Sequence, residues 1–204
     1  MSGILIIGAG GHAKVVADIL LSQGVVVQGY LDDEVSLHGE QRLGLPVLGP
    51  VETYPDFNPD GLIIGIGSNS VRHAIAGKLG DEAEKLWINA IHPQAVIAPS
   101  VQLGVGIVVA AGVVINPDAV IGDHAIINTG ATVDHDCVIG RFAHLAPGVN
   151  LAGNVQIDDE CLIGIGSVAI PGCHIGAKAI VGAGSVVISD IPAGVTAKGV
   201  PACW

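Results

Sequence analysis

Positive charge is scarce in this chain. Its 204 residues include eight lysines and arginines against nineteen aspartates and glutamates, for a formal net charge of −11. No basic stripe exists to neutralise the phosphates of a nucleic acid, which argues against that partner. An anionic small ligand must instead rely on backbone N–H groups and a few cations. Long apolar runs are also missing. The mean hydropathy of +0.63 raises the question of a membrane, yet the longest run of apolar residues and glycine, Leu103 to Ile115, has thirteen residues. A spanning helix needs about 20. No basic segment precedes the short apolar stretch at Ile4 to Ile7, so it does not read as a signal peptide. The expectation is a soluble, cytoplasmic protein with no membrane insertion. Four cysteines show no C-x-x-C spacing, and no metal is expected.

What the chain has in abundance is a repeat. Residues 95–190 divide into sixteen consecutive blocks of six without insertion. Position three of each block is Ile, Leu or Val, from Ile97 to Val187, except for Ala169. Position one is always Ala, Val, Ile, Cys or Ser. A period of six is neither helical nor a simple alternation. Three short strands with turns make one triangular coil of about eighteen residues, which is the signature of a hexapeptide β-helix. Cys137, Cys161 and Cys173 all fall on position one, an interior slot. Cys137 and Cys173 lie two coils apart, about 9–10 Å at strand spacing. A disulfide needs Cα atoms within about 7 Å, so buried reduced thiols are expected.

Before His92-Pro93 the pattern is different. Apolar runs at Ile4 to Ile7, Val25 to Leu31, Gly61 to Ile66 and Leu86 to Ile91 read as strands, and His12 to Leu21 and Asn69 to Leu79 read as helices. Such alternation predicts a small parallel sheet with crossover helices. Leu37 to Asn58 reads mostly as loop, with one edge strand at Pro46 to Leu48. The expected organisation is an α/β Rossmann-like domain over residues 1–92 and a β-helix over residues 93–204, with the repeat stopping at Ile191.

Two constellations carry chemistry. Gly8-Ala9-Gly10-Gly11-His12-Ala13 follows a strand and opens a helix, the context in which N–H groups and the helix dipole receive a phosphate. Asp32 and Asp33 end the second strand, where an acid often holds a ribose hydroxyl. A nicotinamide dinucleotide is one reading of this turn. The small sheet and the extra donor at His12 favour a nucleotide diphosphate bearing a sugar. The second constellation is Asp134-His135-Asp136. A carboxylate beside an imidazole fixes its tautomer and stabilises its protonated form, as a general base requires. Either aspartate could serve. With eighteen residues per coil, Gly153 lies one coil beyond His135, about 5 Å away. Its N–H could face a developing oxyanion. His144 lies half a coil away and cannot easily touch His135 within one subunit.

Gly8 to His12, Leu31-Asp32-Asp33, Ile66-Gly67-Ser68-Asn69, Ile91-His92-Pro93, Asn128-Thr129, Asp134 to Gly140 and Gly199-Val200-Pro201-Ala202 together resemble the sugar O-/N-acyltransferases of the sialic acid O-acetyltransferase type. Within that group the chain is most similar to acetyl-CoA-dependent nucleotide-sugar N-acetyltransferases of the bacillosamine and perosamine pathways. The resemblance implies a Rossmann-like nucleotide-sugar domain joined to a left-handed parallel β-helix, assembled as a homotrimer with active sites between subunits. It implies that Gly10, Gly11 and His12 lie near the substrate phosphates and Asp32 and Asp33 near the base or ribose, with Gly67 and Asn69 also on the substrate. It implies Asn128 at the sugar, His135 as base, Asp136 as its orienting acid and Gly153 as oxyanion donor. For acetyl-CoA it implies His144 and Gly153 near the thioester, with Ile165, Gly182 and Ala183 along the groove. Relatives commonly carry Lys or Arg after the terminal Pro-Ala, near the CoA phosphate. Here Cys203-Trp204 follows, which leaves Lys198 or Lys178 for that contact.

Three other readings use the same residues. O-acetylation of a sugar hydroxyl needs the same scaffold. A non-catalytic nucleotide-sugar-binding protein would bind without cleaving a thioester. Zinc hydration on coils of this kind needs three converging histidines, whereas His124, His135, His144 and His174 fall on different columns of the eighteen-residue frame. Neither the nucleotide base, the sugar nor the acetylated position is written in the sequence.

Overall fold

The structure, a computed structural model, describes residues 3–204. The chain divides into two compact units, one ending at Pro93 and the other running from Gln94 to Trp204.

The first unit is a three-layer α/β fold. Its sheet comprises β1 (Ile4–Ile7), β2 (Val27–Leu31), β3 (Gln41–Arg42), β4 (Leu45–Gly49) and β5 (Gly61–Ile64), in the order β3-β4-β2-β1-β5. All pairs are parallel except β3 with β4. β1 and β5 are buried at every residue, which explains why they read as unbroken apolar runs rather than alternations. Leu5, Ile7, Leu62 and Ile64 point to one face, where Ile75, Ala76 and Leu79 of helix α2 (Asn69–Glu84) pack with Tyr54 and Trp87. Helix α1 (Gly11–Ser22) covers the other face, with Ala13, Val16, Ala17 and Leu20 buried. There Gly65 is required by close approach. A methyl built on it would lie 2.8 Å from Ala13 Cα and 2.9 Å from Ile6 Cγ2.

Three expectations change. The segment at Pro46 to Leu48 belongs to β4, which is not an edge strand, because Leu43 and Gly44, both at positive φ (50° and 74°), turn the chain back so that β3 forms the edge. The expected strand Leu86 to Ile91 is reduced to a bridge between Trp87 and Leu62 and a two-residue strand, Ala90–Ile91. Helix α2 runs past Leu79 but breaks at Gly80, whose φ of 63° and ψ of −163° are not helical.

The chain runs from β1 outward through β2 to β4, then crosses to β5 on the far side of β1. Strand order therefore reverses between β1 and β5. The loops after their carboxyl ends, Gly8–Gly11 and Gly65–Ser68, flank that switch point, the usual ligand crevice of such sheets.

The second unit is a left-handed parallel β-helix. Each of the sixteen hexads contributes a two-residue strand at its positions two and three, from Val96–Ile97 to Val186–Val187. Strands stack in register eighteen residues apart, as in Val96, Val114, Thr132, Asn150, Val168 and Val186. Position three is buried in every hexad from Val109 onward and half-buried at Ile97 and Leu103. Burying one such side chain is worth about 1.5–3 kcal/mol, so the aliphatic column dominates the stability of the prism. The coil also outlasts the sequence repeat. Ile191 bridges Ile175 and Thr196–Ala197 pairs with Ile180–Val181, each sixteen residues on rather than eighteen. The column is kept while the six-residue frame is lost.

Cys137, Cys161 and Cys173 are buried thiols and Cys203 an exposed one, none of them in a disulfide. Burial raises the three interior thiols, Cys161 to about 11. They are inert packing groups.

Candidate active site

In the β-helix, His135 occupies a turn of the prism beside strand Thr132–Val133. Asp136 follows at φ 59°, a left-handed conformation that Asp tolerates better than most residues. That geometry carries its carboxylate back alongside the ring, and His135 Nδ1 meets Asp136 Oδ2 at 2.7 Å. The alternative orienting acid, Asp134, has another task. Its Oδ1 accepts the backbone N–H of His135 at 2.8 Å and the Asn116 Nδ2 amide at 2.8 Å. Asp134 thus fixes the backbone and Asp136 fixes the ring. The hydrogen bond to Asp136 raises the His135 pKa above its ordinary value, with the charges of Asp134 and Asp136 adding to it and desolvation opposing. The side chain is half exposed.

Gly153 sits against that ring. A methyl on it would lie 2.5 Å from His135 Cε1 and 2.6 Å from Nε2. Among the described residues no group accepts the Gly153 N–H. The His135 imidazole and the Gly153 N–H therefore share one corner of the prism, and Pro171 and Ser189 continue the same column at eighteen-residue steps.

A different corner carries Thr129, Pro147, Ile165 and Ala183, after the strands at Ile126–Ile127, His144–Leu145, Leu162–Ile163 and Ile180–Val181. Asn128 and His144 meet here: Asn128 Nδ2 is 3.1 Å from His144 Nε2. Asn128 Oδ1 accepts the Thr129 N–H at 2.8 Å, which leaves its NH₂ to donate. His144 Nε2 is then the acceptor and its hydrogen sits on Nδ1. Ile165 is 61% exposed and Ala183 is exposed. Gly182 donates its N–H to Ala197 and accepts from Ser167, so its backbone is engaged within the prism. One chain thus holds His135 and Gly153 on one corner and His144, Ile165 and Ala183 on another. Lys178 pairs with Glu160 at 3.6 Å. Among the described residues no group of three or more His, Cys, Asp or Glu is placed to hold a metal, and His124 instead stacks on Phe142, centroids 4.9 Å apart.

In the first unit the Gly8–Gly11 turn owes its shape to Gly8, at φ 97°, where a side chain would strike Ile66. Gly10 and Gly11 face open space, so nothing in the chain's own packing demands glycine at either position. They are the cap and first residue of α1, whose first turn contains no acid. Asp32 braces the turn: Oδ2 accepts the Ala9 N–H at 2.7 Å and Oδ1 the Glu34 N–H at 2.9 Å. Asp33 accepts the Val51 N–H at 2.9 Å and Lys78 Nζ at 3.4 Å. Both acids hold loops. His12 is mostly buried, and burial, followed by the charge of Arg72, lowers its pKa to about 4, so the ring is neutral at pH 7.

Sequence reasoning missed Arg72 and Asn116. Arg72 is 1% exposed and donates to the Ile66 carbonyl (3.2 Å), the Gly67 carbonyl (2.9 Å) and Asn69 Oδ1 (3.0 Å). Its i, i+3 spacing from Asn69 was the available signal. Asn116 stands eighteen residues before Asp134, so the coil frame itself pointed to it.

Residues 3–79 match the PglD N-terminal domain, and residues 118–153 match the bacterial transferase hexapeptide (six repeats). PerB from Caulobacter crescentus, solved in complex with CoA and GDP-perosamine, is 46% identical, with 100% of this chain and 97% of that chain covered and a TM-score of 0.91. The acetyltransferase domain of PglB from Neisseria gonorrhoeae FA1090, solved with acetyl coenzyme A, is 35% identical, with 98% and 97% covered and a TM-score of 0.88. UDP-N-acetylbacillosamine N-acetyltransferase of Bacillus subtilis is 39% identical over 117 residues, 54% of this chain and 52% of that protein. The chain spans between 20% and 52% of the length of the curated relatives it matches. Since two solved structures more than 30% identical to it align over nearly their whole length, the chain belongs to the sugar N-acetyltransferases that join a PglD-type N-terminal domain to hexapeptide repeats.

Proposed function

We propose that this protein transfers an acetyl group from acetyl-CoA to the amine of a nucleotide-linked amino-deoxy sugar. The observation that carries the reading is the His135 ring, tied at Nδ1 to Asp136, with Nε2 lying against Gly153. His135 Nε2 takes a proton from the sugar amine as its nitrogen attacks the thioester carbonyl. The Gly153 N–H donates to the oxygen that becomes negative there. When the C–S bond breaks, the imidazolium returns its proton to the departing thiolate. Base catalysis contributes about 10²–10⁴-fold and one oxyanion donor about 10²–10³-fold.

His144, Ile165 and Ala183 sit on another corner of the prism from His135. A cosubstrate touching both sets needs two chains, which supports a homotrimer with its sites between neighbours. His144, whose Nε2 meets Asn128, then lies toward the donor's thioester end. In the first unit, the open positions at Gly10 and Gly11 suit close approach of a diphosphate to the amides that start α1. His12 remains neutral beside them, and Asp32 and Asp33 hold the neighbouring loops while keeping lone pairs for a ribose. Among the described residues no helix is long and apolar enough to cross a membrane, and a CoA-dependent step fits the cytoplasm.

The test is His135→Ala, with release of the CoA thiol as readout and amino and hydroxyl sugars compared as acceptors. A rate at least a hundredfold below the parent is expected. A rate within threefold removes His135 as base, and turnover of a hydroxyl sugar in preference to an amino sugar replaces N- by O-acetylation.

A further inference from the structure

We propose that Arg72 is a positioning residue for the nucleotide sugar: its guanidinium moulds the Ile66–Asn69 turn that forms one wall of the crevice between β1 and β5. The proposal rests on the nucleotide-sugar reading above. Among the described residues Arg72 is the largest fully buried side chain. An ionised guanidinium in the interior is costly to desolvate, and using its donors offsets part of that cost. The fork spends three donor contacts on this one turn, at 3.2, 2.9 and 3.0 Å.

Ser68, the cap residue of α2, makes no side-chain capping bond. Arg72 lies in the first turn of α2 and reaches back over its start, so a cation sits at the positive end of a helix dipole, an unfavourable place by itself. Neither α1 nor α2 carries an acid in its first turn. In a chain of net charge −11, the two helix starts that flank the switch point are thus left positive, and a buried cation is added. The depression of the His12 pKa by Arg72 puts the two groups within electrostatic reach, one on each side of the crevice. A diphosphate seated on Gly10 and Gly11 would meet a potential to which Arg72 contributes, against a wall that Arg72 shapes. Direct contact with the ligand is not required.

The experiment compares the parent with Arg72→Gln, which keeps donors and loses charge, and Arg72→Lys, which keeps charge and loses the fork. Calorimetry with GDP, UDP and dTDP as probes measures nucleotide affinity; steady-state kinetics give KM for the sugar nucleotide and for acetyl-CoA separately. Both variants should weaken the preferred nucleotide at least tenfold and raise the sugar-nucleotide KM alike. Acetyl-CoA KM and kcat at saturation should stay within twofold, and Lys should recover only part of the loss. A folded variant that binds nucleotide within twofold of the parent overturns the proposal. So does an equal rise in both KM values, the mark of general loosening. Should the Gln variant not fold, the Lys variant decides by the same criteria. A parent that binds none of the three nucleotides defeats the nucleotide-sugar reading itself, and the role of Arg72 with it.

Discussion

Gly153→Ala separates two roles that the glycine serves at once. The substitution keeps the backbone N–H and adds one methyl, which would lie 2.5 Å from His135 Cε1 and 2.6 Å from Nε2. Ordinary contact begins at 3.4 Å and extends to 4 Å, so the ring must retreat by about 1–1.5 Å, and misplacement of about 1 Å costs about 10²-fold in rate. The ring can retreat because its side chain is half exposed, but doing so pulls Nδ1 from Asp136. Stability should hardly change. Gly153 does not sit at positive φ, so alanine reduces the freedom of the unfolded chain and stabilises by about 0.4–1 kcal/mol, which offsets about 0.5–1.5 kcal/mol for an off-rotamer histidine. The expected result is kcat down about a hundredfold with a melting temperature within a few degrees of the parent. Thiol release and a thermal melt on the same preparation measure both. A kcat within threefold of the parent would refute the packing argument and leave only the N–H at Gly153; a collapse of the melt would show that the ring cannot move aside.

Three further outcomes follow from the same structure. The base must be neutral to act, so kcat/KM should fall as pH drops through the raised His135 pKa, and Asp136→Asn should move that acid limb to lower pH while reducing the plateau; a limb that stays put would mean Asp136 does not set the titration. His12 is held down to about 4 while its unfolded value is 6.5. Between those values only the unfolded state gains the proton, so stability should fall from pH 6.5 to 4 by about 3 kcal/mol for this group and lose no more below. Denaturant melts across that range should flatten in His12→Gln, and an unchanged slope counts against the burial. With three interior thiols buried and Cys203 exposed, a thiol reagent should label one cysteine in the native protein and four after denaturation; fast labelling of more than one would contradict the column assignment.

The six-residue period determined the prism, because a chain that places an aliphatic residue at every sixth position can bury all of them only by turning three times per coil. It also placed the three interior cysteines and set Gly153 over His135, since stacking registers of eighteen are arithmetic. The glycine turn after the first strand was legible for a similar local reason: α1 must start there. What lay beyond the sequence was which polar atom meets which. Asp134 and Asp136 flank His135 symmetrically in sequence, and only the left-handed backbone at Asp136 and the Asn116 amide one coil away gave them different tasks. Asp32 and Asp33 looked like ligand residues and proved to brace loops as well, because the turns they face come from 18 and 23 residues away. The last rung of the prism kept its column after losing its period, because strand pairing follows the exposed ladder beneath it rather than residue count. Arg72 was invisible as a helix arginine until folding wrapped the 66–69 turn around its fork. Periodicity reports what every residue of a class must do together; the site depends on single contacts between distant residues, and those exist only once the chain has closed.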